Sequence, residues 1–211
     1  MSVLAIDTAS RRRSSVLRTT ADGTILEHRE VAGGALDRDL AAALAAVLTD
    51  DVAVVVVLTG PGSYSGVRAG MAAALGVAGA RGVPLHGLGN LTAMAHAAAA
   101  APGTRFSVAA DAGRGGVYIA SFERGDALTT QVSPLRRVEA GDVHGGDGMF
   151  APEAIAGLAA VIIDPVRALA AAVPVALASP PLAAAGLRAT HAVAAAGGGP
   201  PAVLIAPATA P

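Results

Sequence analysis

The strand-like run Val52-Ala53-Val54-Val55-Val56-Val57-Leu58 leads directly into Thr59-Gly60-Pro61-Gly62-Ser63-Tyr64-Ser65-Gly66, and this junction constrains the fold more than any other part of the chain. An unbroken β-branched run is the pattern of a strand buried on both faces. Gly60, Pro61 and Gly62 then force a sharp, rigid turn. Ser63 or Ser65 is available to cap a helix that begins there. The first N–H groups of such a helix have no partner inside it. The turn therefore either binds an anion or fixes how the helix leaves the sheet.

Around this junction the pattern alternates. Residues 3–6 read as a buried strand. Residues 14–18 and 24–31 read as two more, separated by Ala21-Asp22-Gly23. Leu36, Leu40, Leu44, Val47 and Leu48 make a helical stripe. Residues 67–81 predict a helix stopped by Gly82, 84–88 a short strand, and 91–101 a helix closed by Pro102-Gly103. The order β-β-β-α-β-α-β-α predicts an α/β lobe with a mixed sheet over residues 1–103. Residues 106–111 and 116–122, joined by Gly113-Arg114-Gly115, predict a strand pair that opens a second lobe over 104–211. Within it, 123–150 read as polar and glycine-rich, with a loop at His144–Gly148, and 151–196 as helices. The tail from about residue 197 is glycine- and proline-rich and reads as poorly ordered.

Composition narrows the function. Aromatic residues are only 2%, so the core is built from Val, Leu, Ile and Ala. A net charge of −1 is not the footprint of an autonomous nucleic-acid binder. Without cysteine there is no disulfide, thiolate or cysteine-held zinc. Without lysine there is no Walker A loop. The uncharged stretch 168–187 contains Pro174, Pro180 and Pro181 and makes a poor membrane span. Asp7 interrupts the apolar start and Arg11-Arg12-Arg13 follow it, the reverse of a signal peptide. A soluble, cytoplasmic protein is expected.

The chemistry-bearing candidates are few. Asp7-Thr8 follow the first strand, where a carboxylate can orient a magnesium-bound water or simply accept local turn N–H groups. Neither Ser63 nor Ser65 has glycine at both −2 and +2, so the hydrolase elbow fails and capping is the better role. No two histidines stand three to five residues apart, so helical metal ligation is not expected. Arg11-Arg12-Arg13 read as a solvated turn or a contact for phosphate or an acidic partner. Arg68 lies in a first helical turn, where the dipole disfavours a cation, which suggests pairing with a carboxylate such as Asp7 or one on a partner. Gly66, Gly70, Ala74, Ala78 and Gly82 recur every four residues and flatten one side of their helix; Val67, Met71, Leu75 and Ala78 form a ridge beside it. Ala41, Ala42 and Ala45 flank the preceding stripe. Two readings stay open: this surface meets another subunit, or it is covered within the chain.

Three segments carry a resemblance. Gly60-Pro61-Gly62-Ser63-Tyr64-Ser65-Gly66-Val67-Arg68-Ala69-Gly70, the opening Leu4-Ala5-Ile6-Asp7-Thr8-Ala9, and Asp111-Ala112-Gly113-Arg114-Gly115-Gly116-Val117-Tyr118 resemble, in order and spacing, the GPGSF/YTG, LAhDTA/S and DAR-x-GEVY segments of the TsaB (YeaZ) family. Gly113 and Gly116 stand where that family has Arg and Glu. The resemblance covers roughly residues 1–122. It implies the two-lobed actin-like ATPase (ASKHA) superfold, with mixed sheets flanked by helices and here a divergent second lobe. It also implies a non-catalytic scaffold, without a cofactor, in the assembly that places a threonylcarbamoyl group on the adenosine beside the anticodon of tRNA. The implied partners are a TsaD-like catalytic paralogue or a second copy of the chain, a TsaE-like ATPase, and tRNA through the complex. The implied interface residues are Leu40, Ala41, Ala45, Val67, Gly70, Met71, Ala74, Leu75 and Ala78. Gly60, Pro61, Gly62, Ser63, Tyr64, Arg68, Asp111 and Tyr118 carry the motifs, and Asp7 and Thr8 form a vestigial phosphate loop. The alternatives are a stand-alone nucleotide hydrolase or kinase relative that uses Asp7 and, remotely, a peptidase.

Overall fold

A computed structural model describes residues 1–143, 148–151 and 160–182. In chain order its elements are β1 (Ser2–Asp7), β2 (Arg13–Thr19), β3 (Ile25–Ala32), α1 (Leu36–Val47), β4 (Val52–Leu58), α2 (Tyr64–Arg81), β5 (Leu85–Leu88) and α3 (Asn90–Ala97). Then come β6 (Arg105–Gly113), β7 (Gly116–Arg124), β8 (Thr129–Gln131), β9 (Arg136–Glu139), β10 (Met149–Ala151), β11 (Val161–Ile162) and α4 (Pro165–Leu177). The first sheet has the order β3-β2-β1-β4-β5. β1 runs antiparallel to β2 and parallel to β4, and β4 parallel to β5, which is the mixed sheet expected from the strand-helix order.

Alternation along the strands divides the first core in two. Leu4, Ile6, Val16, Val55 and Val57 face α1 and α2. Val3, Ala5, Leu17, Val56 and Leu58 face α4, which arrives from the far end of the sequence. Asp164 caps α4 by accepting the Val166 N–H at 3.0 Å, and Pro165 opens it. At its other end the His86 Nδ1 lies 3.0 Å from the Ala176 carbonyl and 3.1 Å from that of Ser179, so β5 holds the helix terminus. Pro174 cannot donate to the carbonyl four residues back. The turn at Gly23 (φ +89) packs against that Ala170 carbonyl so closely that any Cβ would overlap it.

The second sheet has the order β11-β10-β6-β7-β8, with β9 also paired to β7. Its inner face is aromatic: Phe106 meets Phe150 edge-on at 5.2 Å and stacks 6.3 Å from Phe122. Leu91, Met94 and Ala95 of α3 cover these rings, while Ala93 turns to the first sheet, so α3 is the layer between the two sheets.

Three expectations need correction. The helix expected over 91–101 ends at Ala97, because Ala98 is extended and Arg124 takes over the freed carbonyls of Ala98 (3.2 Å) and Ala100 (3.4 Å). The polar, glycine-rich segment 123–150, in which the sequence pattern marks no strand, contributes β8, β9 and β10. These strands are only three or four residues long, and those of β8 and β9 are polar, so no apolar alternation announces them. The segment 151–196, expected as helices, contains β11 before α4. The centre of the predicted His144–Gly148 loop and the tail from about 197 lie outside the described residues. Among the described residues, no helix is long and apolar enough to cross a membrane.

Candidate functional site

The glycine-rich turn is tied to its own chain at several points. Its Ser63 N–H donates to the Ala9 carbonyl at 2.7 Å, and the Ser63 hydroxyl accepts the Gly66 N–H at 3.3 Å as the cap of α2. The Gly60 and Pro61 carbonyls accept the Asn90 N–H at 2.7 Å and its Nδ2 at 3.2 Å. A Cβ at Gly62 would overlap the Ala9 carbonyl. Of the two roles open to such a turn, the bonding favours fixing how α2 leaves the sheet: the turn is tied to the loop after β1 and to the start of α3. Ser65 lies 3.4 Å from the Ser63 hydroxyl, not beside a base.

Asp7 and Thr8 sit under this turn, both buried. The Thr8 hydroxyl donates to the Gly66 carbonyl at 2.7 Å. Asp7 Oδ1 accepts the Ala9 N–H at 2.8 Å, as the local-turn reading requires. Burial nevertheless pushes the Asp7 carboxyl up from 3.8 to about 6, against the opposing pull of that N–H. Asp7 also lines a cavity of about 440 Å³ between the sheets, with Asn90 from α3, Asp111 and Gly116 from the β6–β7 hairpin, and Pro165 from α4. Arg11, Arg12 and Arg114 line its mouth; the sequence left the first two as a solvated turn or a contact for phosphate or an acidic partner and gave the third no role. The arginine run itself was one signal for Arg11 and Arg12; for Arg114 the signal was position, in a turn next to the motif aspartate Asp111.

The residues expected at a subunit interface mostly point inward. Leu40, Val67, Met71, Ala74 and Ala78 are buried in the core against the first sheet, and Gly70 packs on Thr8. At Gly66 and Gly70 a Cβ would overlap the Thr8 carbonyl and hydroxyl oxygens. The four-residue stripe therefore serves close packing of α2 on its own strand loop. Of the expected set, Ala41 and Ala45 are exposed and Leu75 is half-buried. The open side of the two helices consists of Ala41, Ala42, Ala45 and Ala46 on α1, with Ala72, Gly76 and Ala80 on α2. Gly76 and Gly79 have nothing within 4 Å of a would-be Cβ.

Arg68 is a further correction: its guanidinium does not pair with Asp7. It lies 5.2 Å from the centroid of the exposed Tyr64 ring and donates to the Tyr64 hydroxyl at 3.3 Å, a weak substitute for a carboxylate. Tyr64, Arg68, Leu75 and Tyr118 line an open groove of about 630 Å³ beside the glycine turn.

A family model described as TsaD, tRNA N6-adenosine threonylcarbamoyltransferase, matches residues 24–156, more than half of the chain. The tRNA threonylcarbamoyladenosine biosynthesis protein TsaB of Escherichia coli (strain K12) is 34% identical over 131 residues. The chain belongs to the family that this model describes. The alignment takes in 59% of this chain and 56% of the Escherichia coli protein, so the match spans about half the length of that relative. YeaZ from Pseudomonas aeruginosa superposes with a TM-score of 0.60 at 19% identity, covering 82% of this chain and 91% of that one. A protein described as similar to peptidase YeaZ from Pseudomonas aeruginosa gives 0.54 at 21% identity, covering 71% and 74%. At such identities the likeness bears on the fold, and it agrees with two mixed sheets flanked by helices.

Within the TsaB family pattern, the two departures in the second sheet have a structural counterpart. The Arg11 guanidinium occupies the space a Gly113 side chain would take, with Nη2 within 2.9 Å of its would-be Cβ. At Gly116 the Arg137 guanidinium fills the corresponding space, donates to the Gly113 carbonyl at 3.3 Å, and pairs with Glu139 at 2.9 Å. Side chains from the loop after β1 and from β9 occupy the places that the glycines vacate.

Proposed function

We propose that this chain is a non-catalytic scaffold in threonylcarbamoyladenosine modification of tRNA, docking on a TsaD-like catalytic paralogue through the outer faces of α1 and α2. The observation that carries this reading is the internal use of the glycine turn. Its Ser63 and Gly66 N–H groups donate to the Ala9 carbonyl and the Ser63 hydroxyl, tying the turn to its own chain. The matched family and the TsaB relative supply the process. The outer helix faces supply the surface. Gly76 and Gly79 each weaken α2 by roughly 1 kcal/mol relative to alanine. Among the described residues, no neighbour requires either of them. A flat face that admits a partner's backbone gives them a purpose. A TsaE-like ATPase joins the same assembly in this reading, and a second copy is the other candidate for the face.

The test is capture of the TsaD-like protein of the same cell by this chain, with Ala45→Arg and Ala72→Arg as probes. Both positions are exposed, so folding is preserved. Loss of capture by either variant supports the face; no capture by the folded parent chain ends the scaffold reading. Met71 and Ala74 lie in the core, and substitutions there report folding instead. One observation favours a second reading: buried Asp7 lines a cleft large enough for a ligand. Magnesium-dependent ATP turnover by the isolated chain, abolished in Asp7→Ala, would put a nucleotide hydrolase in the scaffold's place.

A further inference from the structure

Two loops from different sheets bring Arg11, Arg12 and Arg114 to the mouth of one cavity, and all three are exposed. The Arg11 guanidinium lies over Gly113, with Nη2 2.9 Å from the position a Cβ would take. Arg114 has φ 55, the one positive value for a non-glycine among the described residues. That conformation costs an ordinary side chain about 1 kcal/mol. Arg114 sits in the β6–β7 turn between Gly113 and Gly115, where the Gly113 N–H donates to Asp111 Oδ1 at 2.6 Å. The neighbouring Arg137 is matched by Glu139. The mouth thus brings the Arg11 and Arg114 guanidiniums together beside the exposed carboxylate of Asp111, on a chain whose net charge is −1.

We infer that Arg11 and Arg114 form a contact site for the phosphate backbone of RNA across the mouth of the cleft between the sheets. Guanidinium forks match phosphate oxygens in pairs. Their position on the rim decides between a strand across the mouth and a small phosphate inside it. A dianion inside would meet the Asp7 carboxyl on the floor, whereas a phosphodiester passing over the rim meets arginine and stays clear of it. The inference rests on the tRNA-modifying reading above and adds a direct RNA contact to it.

The experiment uses the full chain and end-labelled total bacterial tRNA, followed by fluorescence anisotropy at about 50 and about 200 mM salt. Arg11→Ser/Arg114→Ser is compared with Arg11→Lys/Arg114→Lys after matching melting temperatures confirm folding. Removing two phosphate contacts lowers the slope of log affinity against log salt by about 1.4–1.8, so the parent loses roughly tenfold more affinity than the serine variant across that range. The lysine variant retains most of the slope. Equal affinity and slope in the serine variant overturn the inference, as does absence of tRNA binding by the parent. Pyrophosphate binding without tRNA binding assigns the arginines to a small anion instead. Capture of the TsaD-like protein by the serine variant separates the outcomes: capture with unchanged tRNA binding sinks only this inference, while no capture by the parent sinks the scaffold reading itself.

Discussion

Asp7 holds the largest electrostatic tension in the described chain. Unfolded, it gives up its proton near 3.8; folded, it keeps it to about 6. Between those values the folded state binds more protons, so stability falls as pH rises through the window and levels off above it. At roughly 1.4 kcal/mol per pH unit the loss at neutral pH is about 3 kcal/mol. Asp7→Asn keeps an acceptor for the Ala9 N–H and carries no charge. We expect its urea midpoint to exceed the parent's at pH 7.5 by the equivalent of about 2–3 kcal/mol, with the difference gone by pH 4. A parallel pair of pH profiles would remove the assignment. His96 acts with the opposite sign: its neutral ring bridges the Thr92 carbonyl and the Thr129 N–H, and burial lowers its pKa, so its contribution disappears as pH falls below 6.5.

On α2, glycines of one helix divide into two kinds. Gly70 lies against the Thr8 hydroxyl, and Gly76 faces empty space. Helix propensity alone predicts that alanine stabilises both by about 1 kcal/mol. Packing reverses the sign at one of them: Gly70→Ala is expected to lose about 1–3 kcal/mol by overpacking, while Gly76→Ala gains up to about 1. Thermal denaturation of the two variants, moving in opposite directions, checks this; a gain in both would mean that Thr8 yields freely. The same helix shows where sequence reading stops. Its residues are small or apolar on nearly every side, so the periodicity located the helix and its Gly82 end but could not say which side meets the sheet. β4 and the glycine turn were legible because β-branched residues and Gly-Pro-Gly act locally. The motif aspartates were legible for the same reason, whereas the arginines gathered above them come from loops far apart in sequence, and only the tertiary fold brings them together.

At the scale of the whole molecule, the proposed boundary at residue 103 separates the two sheets but not their cores. Val3, Ala5, Leu17, Val56 and Leu58 are covered by α4, from beyond that boundary. A fragment of residues 1–103 leaves this face bare, so it is expected to be insoluble or to lack cooperative unfolding, whereas the chain through residue 182 melts as one unit. A well-dispersed amide spectrum from the short fragment would establish an independent lobe. Nothing in the alanine-rich sequence of α4 names its partner, and for that reason the two halves read as more separate than the fold makes them.

His86 and α4 also set a timetable. A ribosome delivers residues from the amino end at about 5–20 per second. The strands of the first sheet emerge early, but the helix that covers their second face is complete only at Leu177. For a time on the order of ten seconds the nascent chain carries a nearly finished sheet with one apolar face open to the cell, a period in which chaperones and unwanted partners compete for it.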